Sequence, residues 1–183
     1  MLRTSLLALA LAAGPALSDT CPPVPDHAAE IDALYAELQS AENEMEAREF
    51  NNALWGYWTD APGEAAQGLL DMGMSQRARY DLLGSISSLT TLIDFCPDYA
   101  EGWNQRAFSY YLGGQFEQAL PDLDRALELR PRHLGALTGK ALTLIALERK
   151  PEAVLVLREA LALNPWLGER HLLPTLEADE QEI

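Results

Sequence analysis

Between Ala100 and Pro165 the apolar positions run with the period of a helix, stop, and start again. Trp103, Ala107, Tyr110 and Tyr111 fall at spacings of three and four, which lines them along one helical face. Gly113 and Gly114 end that run. A second amphipathic run carries Phe116, Ala119, Leu120, Leu123, Ala126, Leu127 and Leu129. Pro131 stops it, because proline offers no amide donor and disfavours helix at the residue before it. Ala107, Ala119 and Ala126 are small where two helices must come close, and bulky Trp103, Tyr110 and Leu123 fill the hollows between them. The pattern predicts a hairpin of two short helices.

The hairpin recurs. Pro131 and Pro165 are 34 residues apart, and so are Ala119 and Ala153, Ala126 and Ala160, Ala107 and Ala141, and Leu123 and Leu157. One step earlier stands Pro97. A fixed interval of this length means a helical pair stacked on copies of itself. The residues that recur resemble the tetratricopeptide repeat family, whose pattern is met by Trp103, Ala107, Tyr110, Ala119, Leu123, Ala126 and Pro131. The following unit meets it more loosely through Leu137, Ala141, Leu144, Ala153, Leu157, Ala160 and Pro165. A degenerate earlier unit stays in register through Leu69, Gly73, Ser85, Leu89, Leu92 and Pro97, with Gln76 where an aromatic or apolar residue is expected. The resemblance implies an all-α fold, a right-handed superhelical stack of antiparallel helix pairs, with about three repeats at 63–99, 100–133 and 134–167. It speaks for the fold and hardly for function, because the shared residues hold helices together.

The flanks read as additions to that stack. Pro22, Pro23 and Pro25 exclude regular helix, after which Asp26 can cap a helix with Ala29, Ile31, Leu34, Tyr35 and Leu38 on its apolar face. A second helix, about Asn43 to Trp58, carries Met45, Ala47, Phe50, Leu54, Trp55 and Trp58. Residues 19–62 are therefore expected to form an extended start and a helical hairpin, either a diverged repeat or a hairpin preceding the others in the same stack. Trp55 and Trp58 could form a ligand-binding pair, but spacing of three favours packing against the helix that begins near Gly63. Beyond Pro165, Leu172, Leu173 and Leu176 can cover the last repeat, with Pro174 keeping this cap short and Glu169, Arg170 and the acidic tail of 168–183 in water.

Residues 1–18 read as a secretory signal: Arg3, an apolar run from Leu6 to Ala13, then small Ala16 and Ser18 before the cleavage point. Gly14 and Pro15 interrupt the run before the roughly 18 apolar residues a membrane span needs. The expectation is a mature chain outside the cytoplasm and not inserted in a membrane. The short signal and the alanine-rich composition suggest a bacterial periplasm. Cys21 and Cys96 fit that compartment, being 75 residues apart with neither redox-motif nor zinc-ligand spacing, so a disulfide is the plain reading. The net charge is −15, and only Arg48 opposes eleven acidic residues between Asp19 and Ala66. Nucleic acid and anionic membrane surfaces need a positive field and are excluded as partners.

Catalytic chemistry finds few pieces. His27, His133 and His171 stand in unrelated contexts, and no metal-protease, phosphate-loop or nucleophile-elbow motif occurs, so no enzyme, metal or cofactor is expected. His133 reads as a surface residue at an inter-repeat turn, and Asp122 and Asp124 as part of a solvated face. In the family resembled, the first helices of successive repeats line a concave groove. That resemblance assigns Asn104, Phe108, Tyr111, Leu112, Thr138, Leu142 and Ile145 to the groove, with Leu70, Met74 and Arg77 upstream. Family members that grip a partner's C-terminal carboxylates use Lys, Asn and Arg, where this chain has Leu70, Met74, Gln105, Gly135 and Gly139. The expectation is a scaffold that binds a peptide or protein partner in an apolar, aromatic groove. The alternative is a structural subunit of a larger envelope complex, its groove capped by its own acidic N-terminal helices.

Overall fold

A computed structural model describes residues 20–181. The expected signal at 1–18 lies outside the described residues. Eight helices follow one another: α1 (Ala28–Ser40), α2 (Glu44–Trp58), α3 (Gly63–Ala78), α4 (Leu82–Phe95), α5 (Ala100–Leu112), α6 (Phe116–Leu129), α7 (Leu134–Ala146) and α8 (Lys150–Leu163). A 3-10 turn, Gly168–Leu172, leads into α9 (Leu173–Gln181). No strand occurs among the described residues. The described residues are all-helical, and α3/α4, α5/α6 and α7/α8 are stacked pairs, as the 34-residue period predicts.

Small residues set the helix separations. Ala107, Ala119, Ala126 and Ala136 are fully buried around Leu123, with Trp103 and Tyr110 packed at the edge. A Cβ on Gly73 would lie 2.6 Å from Leu89 Cγ, so α3 and α4 approach as closely as they do only because that side chain is absent.

The turn inside each pair is one backbone motif used three times. Tyr80, Gly114 and Glu148 stand at equivalent positions, 34 residues apart, with φ of 63°, 69° and 58°. The amides of Asp81, Gln115 and Arg149, one residue later, donate to Gln76, Tyr110 and Leu144 at 2.8–2.9 Å. These are Schellman caps, whose left-handed residue favours glycine. The repeat is therefore encoded in backbone geometry even where Tyr80 and Glu148 depart from it in side chain.

One of two acidic residues read as solvated is buried. Asp122 is 4% exposed and receives Arg106 Nε and Nη2 at 2.7 Å each, so it belongs to the interior of the stack. Arg106 also donates to Thr90 Oγ1, tying α4, α5 and α6 together, and the Asp122 hydrogen bonds hold its pKa above the usual value. The periodicity missed this because a carboxylate on the α5-facing side of α6 looks like any charged position until its partner is known. Asp124 stays near the surface, 2.7 Å from Lys140 Nζ.

The N-terminal hairpin does not precede the first repeat in the stack. Cys21 and Cys96 form a disulfide that fixes its start beside α4. From there α1 and α2 cross to the other end of the molecule, where Tyr35, Leu38, Ala47 and Leu54 form one core with Leu134, Leu137 and Ala160. Tyr35 donates to the Arg132 carbonyl, Arg132 pairs with Asp32, and Gln39 Nε2 donates to the Ala162 carbonyl at 2.9 Å. The hairpin thereby closes on the third pair rather than extending the array before α3. At the C-terminal end Leu176 is buried with Ala141, Val154 and Leu157, and Leu172 and Leu173 pack beside it. That covers the open apolar face of the last repeat.

Candidate functional site

Helix α5 places Asn104, Phe108 and Tyr111 on one face, and α7 places Thr138 and Leu142 four residues apart on the adjoining one. These five residues line a cleft of about 340 Å³. Its opposite wall is α2, which contributes Asn51, Trp55 and Trp58, and Leu167 and Glu169 close the end. Phe108 is 46% and Trp55 42% exposed, so aromatic surface is open to solvent from both walls.

Five other residues assigned to the groove, Leu70 in the core among them, stand outside it. Ile145 packs with the C-terminal cap, and Met74 packs against the core around Leu70 and Leu89. Leu112 is not among the lining residues. Arg77 is committed elsewhere: its guanidinium lies 4.6 Å from the Phe108 ring centroid and donates to the Gln105 carbonyl at 3.3 Å. Burial holds the Arg77 pKa below its ordinary value, against the pull of Glu101.

Beneath the cleft lies a buried polar cluster. Glu101 and His133 are 1% and 2% exposed, with His133 Nε2 2.8 Å from Glu101 Oε2. Asn104 Nδ2 donates to the same carboxyl oxygen at 3.0 Å, and Gln105 Nε2 donates to the other. His133 Nδ1 accepts from the Ala136 amide at 3.2 Å, capping α7. His133 is therefore a core residue joining α5 to α7, contrary to the surface role expected at a turn after proline. Its ring is covered by Trp58, stacked at 4.6 Å with planes 23° apart. Tyr99 donates to the Trp58 carbonyl at 2.7 Å, and burial raises the Tyr99 pKa well above the tyrosine range. Trp58 thus docks on the Glu101–His133 pair and Trp55 faces the cleft. Neither belongs to the core formed with α3.

The sequence offers Trp55 and Trp58 as a ligand-binding pair but favours packing against α3, and it does not single out Asn51. Asn51, Trp55 and Trp58 share a helical face by their spacing of four and three, which was the only available signal, and spacing does not say which distant surface that face meets. Gln105, which the resemblance placed only at a position of the absent carboxylate clamp, lines the cleft although it is only 1% exposed. Gln105 Oε1 and Thr138 Oγ1 are buried and accept or donate no hydrogen bond within the described protein. The lining includes Glu169 and, among the described residues, no Lys or Arg. No group of His, Cys, Asp or Glu among the described residues has the geometry to hold a metal ion. No described helix is long and apolar enough to cross a membrane.

The tetratricopeptide repeat family model matches residues 100–133, the unit built from α5 and α6. A TPR repeat-containing protein of Rhizobium etli is 31% identical over 113 residues, covering 61% of this chain and 54% of that protein. The chain thus spans about half the length of that curated relative. Among solved structures, the first TPR of Spaghetti bound to an HSP90 peptide superposes with a TM-score of 0.62 at 21% identity, over 63% of this chain and 93% of that one. A MamA double mutant superposes with a TM-score of 0.59 at 16% identity, over 87% of this chain and 88% of that one. With the 34-residue period, the stacked helix pairs and the repeated Schellman turns, these likenesses show a tetratricopeptide repeat at residues 100–133 within a solenoid of tetratricopeptide-type helix pairs.

Proposed function

We propose that this chain is a non-enzymatic protein-interaction scaffold acting outside the cytoplasm, in a bacterial periplasm, and that its binding surface is the cleft between α2, α5 and α7. The observation that carries this reading is the aromatic surface left open there, with Trp55 on one wall and Phe108 on the other. Similar folds bound to peptides, such as the first TPR of Spaghetti, support a peptide or protein as the partner. An acidic tail of the kind an HSP90 peptide carries suits this cleft poorly, because its only charged lining residue among those described is Glu169. The location rests on the signal read at 1–18 and is supported by the Cys21–Cys96 disulfide, a bond that persists in oxidising compartments.

A second reading has an observation of its own. The α1/α2 hairpin covers the N-terminal end of α7 and fills part of the concave side, as a self-capped structural subunit would require. Crosslinked affinity capture in the native host separates the two, using the wild-type chain and Phe108→Ala/Tyr111→Ala side by side. Loss of a partner by a double variant that melts as the wild type does supports the cleft. Equal recovery of the same partner by both removes the cleft as the site and leaves the self-capped subunit with a convex binding face.

A further inference from the structure

We propose that the cleft is an anchor pocket for one aromatic side chain bearing a ring donor, an indole N–H above all, presented by a partner segment that carries no carboxylate beside it. This rests on the scaffold reading and names what that scaffold grips.

Three observations converge on the anchor. The volume, about 340 Å³, is at the small end of the roughly 300–1,000 Å³ of ordinary ligand pockets, so the cleft suits a side chain and its neighbours rather than a long helix. Docking of α2 through Trp58 on His133 walls off what would otherwise be an open groove along α5 and α7. The walls offer Trp55, Trp58, Phe108 and Tyr111, and aromatic rings pack against aromatic rings with a geometric preference beyond the area they bury.

The polar demand is equally specific. Gln105 is fixed by its Nε2 donating to Glu101, so the amide cannot turn over without placing its oxygen against that carboxyl group. Its Oε1 is therefore a buried acceptor lacking a donor within the described protein, in a residue 1% exposed that lines the cleft. A buried carbonyl oxygen without a donor is costly, and an N–H that enters as the wall parts over Gln105 removes that cost. Charge at the lining points the same way: Glu169 lines the cleft, Glu101 lies under Gln105, and the nearby cation, Arg77, sits outside the lining with its guanidinium engaged by the Phe108 ring and the Gln105 carbonyl. A carboxylate would enter against that field, whereas a neutral ring donor would not.

The test uses capped tripeptides, so that the donor is deleted from the probe and the protein stays intact. Acetyl-Gly-Trp-Gly-amide, the same peptide with N1-methyltryptophan, acetyl-Glu-Trp-Glu-amide and free indole are titrated into the full chain and followed by 1H–15N NMR. The tryptophan peptide is expected to shift the Gln105 side-chain amide and to bind about tenfold more tightly than its N1-methyl analogue. The glutamate-flanked peptide and free indole should both bind more weakly. Thr138→Leu, which extends a side chain into the cleft, should abolish the shifts while the melting temperature is retained. Phe108→Ala is the second variant if Thr138→Leu does not fold.

Equal affinity for the N1-methyl peptide, or shifts confined to residues away from α2, α5 and α7, would overturn the anchor. Tighter binding of free indole than of the peptide would assign the pocket to a small molecule and overturn it as a partner site. The scaffold reading fails separately, if capture in the native host ignores Phe108→Ala/Tyr111→Ala while the peptides still show the expected order.

Discussion

Replacing Tyr80 by glycine should stabilise this protein, although it deletes a large side chain. Tyr80 sits at φ 63° in the turn between α3 and α4, equivalent to Gly114 at φ 69° in the next repeat. An L residue in that region costs about 1–2 kcal/mol. Glycine at the same place gives back about 0.5–1 kcal/mol through the greater freedom of the unfolded chain. The ring offsets little, since Tyr80 is 72% exposed. The net expectation is a gain of about 0.5–1 kcal/mol, which raises the melting temperature by about 1–4 °C in a chain of this size. Gly114→Ala is the converse test. A Cβ there meets nothing within 4 Å, so its cost is backbone strain alone, about 1 kcal/mol. Equilibrium urea unfolding followed by circular dichroism measures both, provided the slope is unchanged. A destabilised Tyr80→Gly, or a neutral Gly114→Ala, would refute the premise that the left-handed turn governs these positions.

Removing the Cys21–Cys96 bond, by reductant or by a double serine variant, opens a loop spanning 75 residues and should cost about 4 kcal/mol, lowering the urea midpoint by about 2 M. Asp122→Ala leaves Arg106 charged and unpaired in a site where the two side chains are 6% and 15% exposed, and should cost about 3–5 kcal/mol in the same assay. Tyr35 has its pKa raised by burial from 10.0 to about 12. Its contribution is complete below pH 10 and is lost as pH rises through 12, because the unfolded chain gives up the phenolic proton first. Over that window Tyr35→Phe should lose on the order of 2–3 kcal/mol less stability than the wild type, as read from alkaline unfolding curves.

The repeats were legible because their information is local. Ala107, Ala119 and Ala126 announce close helix approach, and recurrence at 34 residues places the pairs, so the all-helical stack follows from residues near one another in the chain. The faces of α5 and α7 were legible for the same reason, and Phe108, Tyr111, Thr138 and Leu142 do line one cleft. What could not be read is docking across distance. Tyr35 meets Arg132 and Gln39 meets Ala162 over separations of 97 and 123 residues, and no periodicity within α1 or α2 names those partners. His133 and Asp122 fail similarly: each looks solvated until Glu101 or Arg106 from another helix is set beside it. Met74 and Ile145 belong to faces that other cores claimed first.

The return of the N-terminal hairpin to the third pair changes how the array comes apart. A linear stack of repeats touches only nearest neighbours, so its ends fray independently and unfolding can run inward from either one. Here α1 and α2 are held at one end by Cys96 and at the other by Leu134, Leu137 and Ala160, which joins the first segment of the chain to the last repeat. The stack is a ring rather than a ladder. Peeling α8 away must also uncover Tyr35 and Leu38, and loosening α1 must also expose the start of α7. Opening at either end therefore costs both ends, and amide exchange in α1 and α8 should slow toward that of the central repeat instead of leading it.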